Sequence, residues 1–63
     1  MNNFEKAGYE VRHYYNHISV VIDDKEYHIC DKVFGTTNYD DKINNAWNDA
    51  KKKGLIPVTK WAN

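Results

Sequence analysis

Three short runs of β-forming residues lie between residues 9 and 30, and their apolar positions keep one parity. Side chains alternate between the two faces of a strand, so positions two apart share a face. The positions that share the apolar face are Tyr9, Val11, His13 and Tyr15 in the first run, Ile18, Val20 and Ile22 in the second, and Tyr27 and Ile29 in the third. The pattern predicts strands over residues 9–15, 18–23 and 26–30, forming an antiparallel meander with one buried side.

Two short turns, at Asp24-Lys25 and around Asn16-His17, are expected to connect the runs and set their register. They predict four cross-strand pairs on the apolar face, namely Ile22 with Tyr27, Val20 with Ile29, Tyr15 with Ile18, and His13 with Val20. All four pairs keep their members on the same side of the sheet.

A helix over residues 39–53 is predicted by apolar positions at helical spacing, which are Ile43, Ala46, Trp47 and Ala50. Asn38 is the expected N-cap, the lysines at 51–53 complement the negative end of the helix dipole, and Gly54 ends the helix. A shorter helix is expected over residues 3–7. Asn2 or Asn3 would cap it and Gly8 would end it in the left-handed conformation.

The tail over residues 55–61 is too apolar to stay free in water, and Pro57 prevents it from continuing the helix. We expect it to run extended over the domain, with Leu55 or Trp61 closing one end of the core. The predicted fold is therefore a single α+β domain over residues 1–63. It comprises a short N-terminal helix, a three-stranded antiparallel β-meander and one longer C-terminal helix packed on one sheet face.

The composition excludes some functional classes but does not indicate a single function. The chain has 63 residues, a formal net charge of zero and a single cysteine, Cys30, so it forms no internal disulfide and fits a reducing cytoplasm. No apolar run approaches the roughly 20 residues that span a bilayer, so no membrane partner is expected. The charges are uneven, because residues 21–50 are mainly acidic whereas residues 51–63 contain four lysines and no acid. Such asymmetry steers partners even when the total charge is zero.

The second sheet face follows by subtraction from the first. Its expected residues are Glu10, Arg12, Tyr14, Ser19, Val21, Glu26, His28 and Cys30. One helix covers one side of a sheet, so this mixed aromatic and charged face is either solvated or an interface. His28 and Cys30 are neighbours on it, but no third group or oxyanion hole accompanies them, and no catalytic residue is expected.

The histidines and the cysteine also suggest a zinc site, because zinc takes four ligands and the chain offers four candidates, His13, His17, His28 and Cys30. His13 is predicted on the opposite face, as a partly buried, hydrogen-bonded residue at the sheet edge. His17 lies near a turn. The four side chains therefore do not converge, and no metal or other cofactor is expected.

A nucleic-acid-binding domain is the alternative function, with Lys51, Lys52, Lys53 and Lys60 as its contacts. The order helix, three strands, helix is similar to that of double-stranded-RNA-binding domains. In that family the lysines lie at the start of the second helix, whereas here three of them close it. A neutral chain with an acidic middle also lacks the basic balance that phosphate binding favours.

Acidic residues cluster at the expected tip of the second hairpin, where Asp23, Asp24 and Glu26 lie close together. Carboxylates spaced like phosphates fit the arginine-rich sites of nucleic-acid enzymes. A chain of this size, with a sheet, one long helix and acidic turns, resembles the small phage-encoded inhibitors of bacterial defence, including anti-CRISPR proteins.

The resemblance implies a non-enzymatic protein in the host cytoplasm. It would inhibit a larger host protein, such as a nuclease or a nucleic-acid-binding enzyme. The expected partner-binding residues are Asp23, Asp24, Glu26, Arg12, Tyr14 and His28. A homodimer through the exposed sheet face or a sheet edge is compatible with this function.

Overall fold

A computed structural model describes residues 1–61. Its elements are α1 (Asn3–Lys6), β1 (Glu10–His13), β2 (His17–Ile22), β3 (Lys25–Asp31), α2 (Asp40–Lys52) and a 3-10 turn (Val58–Lys60). The strands form one antiparallel sheet in the order β1-β2-β3, and α2 contacts that sheet. The predicted α+β fold class is confirmed.

The second hairpin turns one residue earlier than predicted. Its turn residues are Asp23 and Asp24, both with positive φ (51° and 66°), as a tight hairpin turn between twisted strands requires. Consequently Ile22 pairs with Lys25, and Val20 pairs with Tyr27. The predicted turn at Asp24-Lys25 and its two cross-strand pairs are wrong. The register moves by two residues, so the side chains from Lys25 to His28 still point to the predicted faces.

The first hairpin shows the same shift by two residues. β1 ends at His13, which pairs with Ile18, while Val11 pairs with Val20. The Tyr14 N–H donates to the His17 carbonyl at 2.8 Å, and this closes a turn that contains Tyr15 and Asn16.

Two side chains of this hairpin therefore differ from the prediction. Tyr15 is fully exposed in the turn instead of lying on the apolar face of a strand. His13 lies at the strand end and is exposed rather than partly buried.

An irregularity in the pairing of β2 with β3 changes which residues of β3 face the core. Ser19 pairs with His28, but the next pair is Ile18 with Cys30, so one extra residue of β3 lies between them. Cys30 therefore packs against the core, and the prediction that it lies on the outer face is wrong. Asp31, which pairs with His17, takes the outer position instead.

The core lies on one side of the sheet. Its buried side chains are Ile18, Val20 and Ile22 of β2, Ile43, Trp47 and Ala50 of α2, together with Phe4, Tyr39 and Ile56. Val11, Tyr27 and Ile29 are partly buried against them, which confirms the apolar face that the parity predicts. Trp47 is completely buried, and its ring meets Phe4 edge-on at 5.2 Å between centroids. Its Nε1 has no hydrogen-bond partner within residues 1–61.

Both helices end at a glycine in the left-handed conformation. After α1, Gly8 (φ 91°) donates to the Glu5 carbonyl and Tyr9 donates to the Phe4 carbonyl. After α2, Gly54 (φ 76°) and the residue that follows it repeat this bonding pattern. These paired bonds satisfy carbonyls that a helix end otherwise leaves free, and they confirm the two predicted stops.

The helix starts differ in how they are capped. Asn2 caps α1, because its side chain accepts from the Glu5 N–H and donates to the Glu5 carboxylate. Tyr39, not the predicted Asn38, is the N-cap of α2, although the Asn38 side chain accepts from the Asp40 N–H at 3.0 Å.

The tail is docked, but it is not extended throughout. Ile56 is buried in the core, and Val58–Lys60 form a 3-10 turn in place of a straight segment. Trp61 is only partly covered, and its Nε1 donates to the Ile56 carbonyl. Within residues 1–61, no helix combines the length and apolarity that crossing a membrane would require.

Candidate protein-binding face

The outer face of the sheet consists of three rows that cross the three strands. The rows are Glu10, Val21 and Glu26; Arg12, Ser19 and His28; and Tyr14, His17 and Asp31. Within residues 1–61 the core forms on the other side of the sheet, and most of these outer-row side chains are exposed. The outer face is therefore an open surface with a regular arrangement of polar groups.

Arg12, the only arginine of the chain, ties the first two rows together. Its Nε lies 2.7 Å from Glu10 Oε2, and its Nη1 lies 3.0 Å from Glu26 Oε1. The hydrogen bonds to Glu10 and then to Tyr14 raise the pKa of Arg12 further above its already high value. Ser19, at the centre of the face, is buried although it is polar and outward-facing. The charged side chains around it thus form one connected layer.

Glu26, on the edge strand β3, is one of the two carboxylates that contact Arg12 in this layer. The Tyr14 hydroxyl contributes most to lowering the pKa of Glu26, partial desolvation opposes this effect, and the nearby Ser19 and Arg12 side chains lower the pKa further. A carboxylate that accepts several hydrogen bonds is stabilised in its charged form.

Replacing Glu26 with glutamine is expected to flatten the acid side of the stability profile. The folded-state pKa of Glu26 lies below the ordinary value of 4.5, so its stabilising effect is present above that value. The effect is lost as the pH falls through the lower, folded-state pKa. Melting temperatures measured from neutral to acidic pH should fall less steeply in E26Q than in the unmodified protein. Two parallel curves would contradict this role of Glu26.

A chain of aromatic and imidazole rings continues the face toward the first hairpin turn. Tyr14 stacks on His17 at 4.6 Å between centroids, and His17 lies 5.5 Å from His28. His28 Nε2 in turn lies 3.0 Å from Asp31 Oδ1. Ring contacts of this kind limit the rotation of exposed side chains, so less freedom remains to be lost on binding.

The acidic hairpin tip lies at the other end of the sheet. Asp23 and Asp24 are both exposed there, and Glu26 follows on the outer face after Lys25. The structure thus brings Arg12, Tyr14, Glu26 and His28 together on one face, with the two aspartates at its end. Sequence reasoning missed His17 because it placed this residue near a turn, whereas His17 begins β2. It missed Asp31 because the extra residue of β3 that places Asp31 on this face has no marker in the sequence.

The four candidate nucleic-acid-binding lysines do not form one free patch. Lys51 lies 5.1 Å from the Trp61 ring and 6.0 Å from the Trp47 ring, while Lys60 lies 5.3 Å from the Tyr9 ring. Lys53 forms an ion pair with Asp49 at 2.9 Å. Lys52 is exposed next to them. Most of these ammonium groups thus already have a partner inside the molecule.

The histidines and Cys30 do not converge either. No group of three or more histidine, cysteine, aspartate or glutamate side chains within residues 1–61 is arranged to hold a metal ion. His28 contacts Asp31, whereas Cys30 packs toward the core on the opposite side of the sheet. The sheet therefore lies between the Cys30 thiol and the His28 ring, so the two side chains do not meet as a nucleophile and its base.

Sequence reasoning also missed an exposed apolar patch at the Tyr15 end of the sheet, which we call the loop-end patch. It consists of Tyr15 in the first hairpin turn and of Val33 and Phe34 in the loop between β3 and α2. Tyr15 and Phe34 are fully exposed. A signal was present in the sequence, since two adjacent apolar residues precede the Gly35-Thr36 turn, where neither strand nor helix is expected.

Comparisons of the chain with protein-family models, with curated proteins and with solved structures each found no match. The account of its function therefore depends on the geometry and chemistry of its own residues.

Proposed function

We propose that the protein is a non-enzymatic protein-binding module that contacts a larger protein with its acidic hairpin and outer sheet face. In this proposal it is a phage or mobile-element inhibitor, similar in kind to anti-CRISPR proteins. It would act in the host cytoplasm on a nucleic-acid-handling or defence protein. The chemistry of the face supports one kind of partner surface.

The observation that carries the proposal is the composition of the second hairpin turn. Both turn residues have positive φ, a conformation for which Asn-Gly is the favoured sequence. The chain has two adjacent aspartates there instead. Aspartate tolerates this conformation better than most L-residues do, but glycine suits it better still, and the two adjacent negative charges repel each other. A binding role for these carboxylates explains why they occupy a turn that other residues would stabilise better.

The rest of the outer face supports the same kind of partner. Carboxylates outnumber the single guanidinium there, and Arg12 is held between two of them. A surface of fixed carboxylates complements a groove lined with arginine and lysine, such as a nucleic-acid channel. The side chains are already held by their mutual contacts, so binding orders few of them further.

The test uses a variant that removes the charges and improves the turn. D23N/D24G is expected to be more stable by about 1 kcal/mol, because Asn and Gly suit the left-handed positions. It should nevertheless weaken the complex about tenfold at low salt, because it loses two steering charges. A bacterial protein captured on the tagged chain, then purified, provides the binding partner for titrations at low and at physiological salt.

The matched control is D40N/D41N, which removes two carboxylates from the first turn of α2, at the end of the sheet opposite the second hairpin. Its affinity should equal that of the unmodified chain. Equal affinity of D23N/D24G and the unmodified chain at low salt would contradict the proposal. A gel shift of nucleic acid by the unmodified protein at low salt would favour the nucleic-acid-binding alternative if neutralising Lys51, Lys52, Lys53 and Lys60 abolished it.

A further inference from the structure

The loop-end patch is held in place rather than left loose. The Lys32 N–H donates to the Asn16 carbonyl at 2.9 Å, which joins the two loops that carry the patch. The Tyr39 hydroxyl, at the start of α2, both accepts from the Val33 N–H and donates to the Val33 carbonyl. The Thr36 N–H donates back to the same carbonyl, around Gly35 at φ 88°. Tyr15, Val33 and Phe34 are thus presented to solvent by a hydrogen-bonded frame.

The exposed area is large for a chain of this size. Two fully exposed aromatic side chains and a half-exposed valine offer roughly 400–600 Å² of apolar surface. That is as large as the largest apolar patch of a typical monomer, and patches of this size are often interaction sites. The aromatic rings of the same protein that lie in the core, Phe4 and Trp47, are completely covered. The exposure of the Tyr15 and Phe34 rings is therefore a feature of this patch and not of the aromatic core.

We infer that this patch binds the same patch on a second copy of the chain. A two-fold axis through the patch would set Tyr15 of one copy against Phe34 of the other, twice, and aromatic pairs of this kind are favourable. The contact would bury roughly 800–1,200 Å² in total, at the lower limit for specific interfaces, which indicates a weak and reversible dimer.

The charges at this end of the molecule allow a second copy to approach. The nearby charges alternate in sign, with Asp31 beside Lys32, and Asp40 lies 3.8 Å from the amino terminus. Two copies therefore approach this end without strong repulsion, and the net charge of the chain is zero. The opposite end carries Asp23 and Asp24, which would repel their own copies. The dimer therefore joins the neutral ends and leaves both acidic hairpins pointing outward.

The experiment is sedimentation equilibrium from about 10 µM to about 1 mM, a range that brackets a weak dimer. The unmodified chain should pass from monomer to dimer within this range. The Y15S/F34S variant should dimerise at least tenfold more weakly. It is expected to fold normally, since neither side chain lies in the core. The control V58S removes another exposed apolar side chain, outside the patch, and should dimerise like the unmodified chain.

Three results would overturn the inference. The first is an unmodified chain that stays monomeric at the highest concentration. The second is a Y15S/F34S variant that dimerises as strongly as the unmodified chain. The third is a monomeric chain that binds phosphatidylcholine–phosphatidylglycerol vesicles through the patch, which would assign it to a lipid surface. None of these changes the D23N/D24G test, because the two surfaces lie at opposite ends of the sheet.

Discussion

Replacing Trp47 with alanine is expected to destabilise the protein by about 3–5 kcal/mol. Trp47 is completely buried, contacts α1 through the Phe4 ring, and forms the largest side chain of the core. The free energy of unfolding of a native protein is about 0.05–0.15 kcal/mol per residue, so a chain of 63 residues has a total stability of only about 3–9 kcal/mol. W47A should therefore lose at least about a third of its free energy of unfolding, and all of it at the lower end of this range. Far-ultraviolet circular dichroism and the urea midpoint measure this loss.

Trp61 provides a matched control for this substitution. Its side chain is 41% exposed and makes one hydrogen bond, from Nε1 to the Ile56 carbonyl. W61A should cost no more than about 1.5 kcal/mol and leave a cooperative unfolding transition. Similar urea midpoints for W47A and W61A would show that Trp47 is not the centre of the core.

Replacing Phe4 with alanine is expected to cost about 3–4 kcal/mol and to release the N-terminal segment. α1 has only four residues, which is far too short to be stable by itself. It is anchored by the Phe4 ring, which meets the Tyr9 and Trp47 rings edge-on at 6.2 Å and 5.2 Å. Amide hydrogen exchange should become fast over residues 3–9 before the strands lose protection.

Phe34 is the matched control for Phe4, because the same substitution there removes a ring that touches no core residue. F34A should change stability by less than about 0.5 kcal/mol. If F4A retained slow exchange over residues 3–9, the anchoring role of the Phe4 ring would be wrong.

The sequence predicts the buried side of the sheet better than it predicts the strand pairing. Alternation assigns Ile18, Val20 and Ile22 to one face whatever the register, because a shift by two residues preserves every orientation. The position of each turn is specified more weakly. Asp23-Asp24 and Asp24-Lys25 both contain turn-forming aspartate, and only the backbone shows which two residues have positive φ.

Tyr15 shows where alternation fails. The tyrosine continues the apolar parity of the first run, but the chain turns before it. Its side chain consequently faces solvent, although the periodicity assigns it to the core. A residue at a strand end is placed by the turn, and the turn depends on contacts that periodicity does not contain.

The alternation of side chains along the strands also predicts part of the candidate face. Alternation predicts one shared face for Arg12, Tyr14, Glu26 and His28, and the structure places them there. Cys30 and Asp31 exchange roles because β3 contains an extra residue opposite Ile18 and Ser19, and such bulges depend on the neighbouring strand. The helix over residues 39–53 was recognisable because its apolar spacing, its first-turn aspartates and Gly54 all agree.

The most direct test of the account is a map of amide chemical-shift changes when labelled protein binds the captured partner. If the outer face binds the partner, chemical shifts should change at the hairpin turn and along the outer rows, centred on Arg12, Ser19 and Glu26. Residues of α2 that face away from the sheet should stay unchanged. Changes confined to the C-terminal lysines, around Lys51 and Lys52, would contradict the assignment of the outer face as the binding surface.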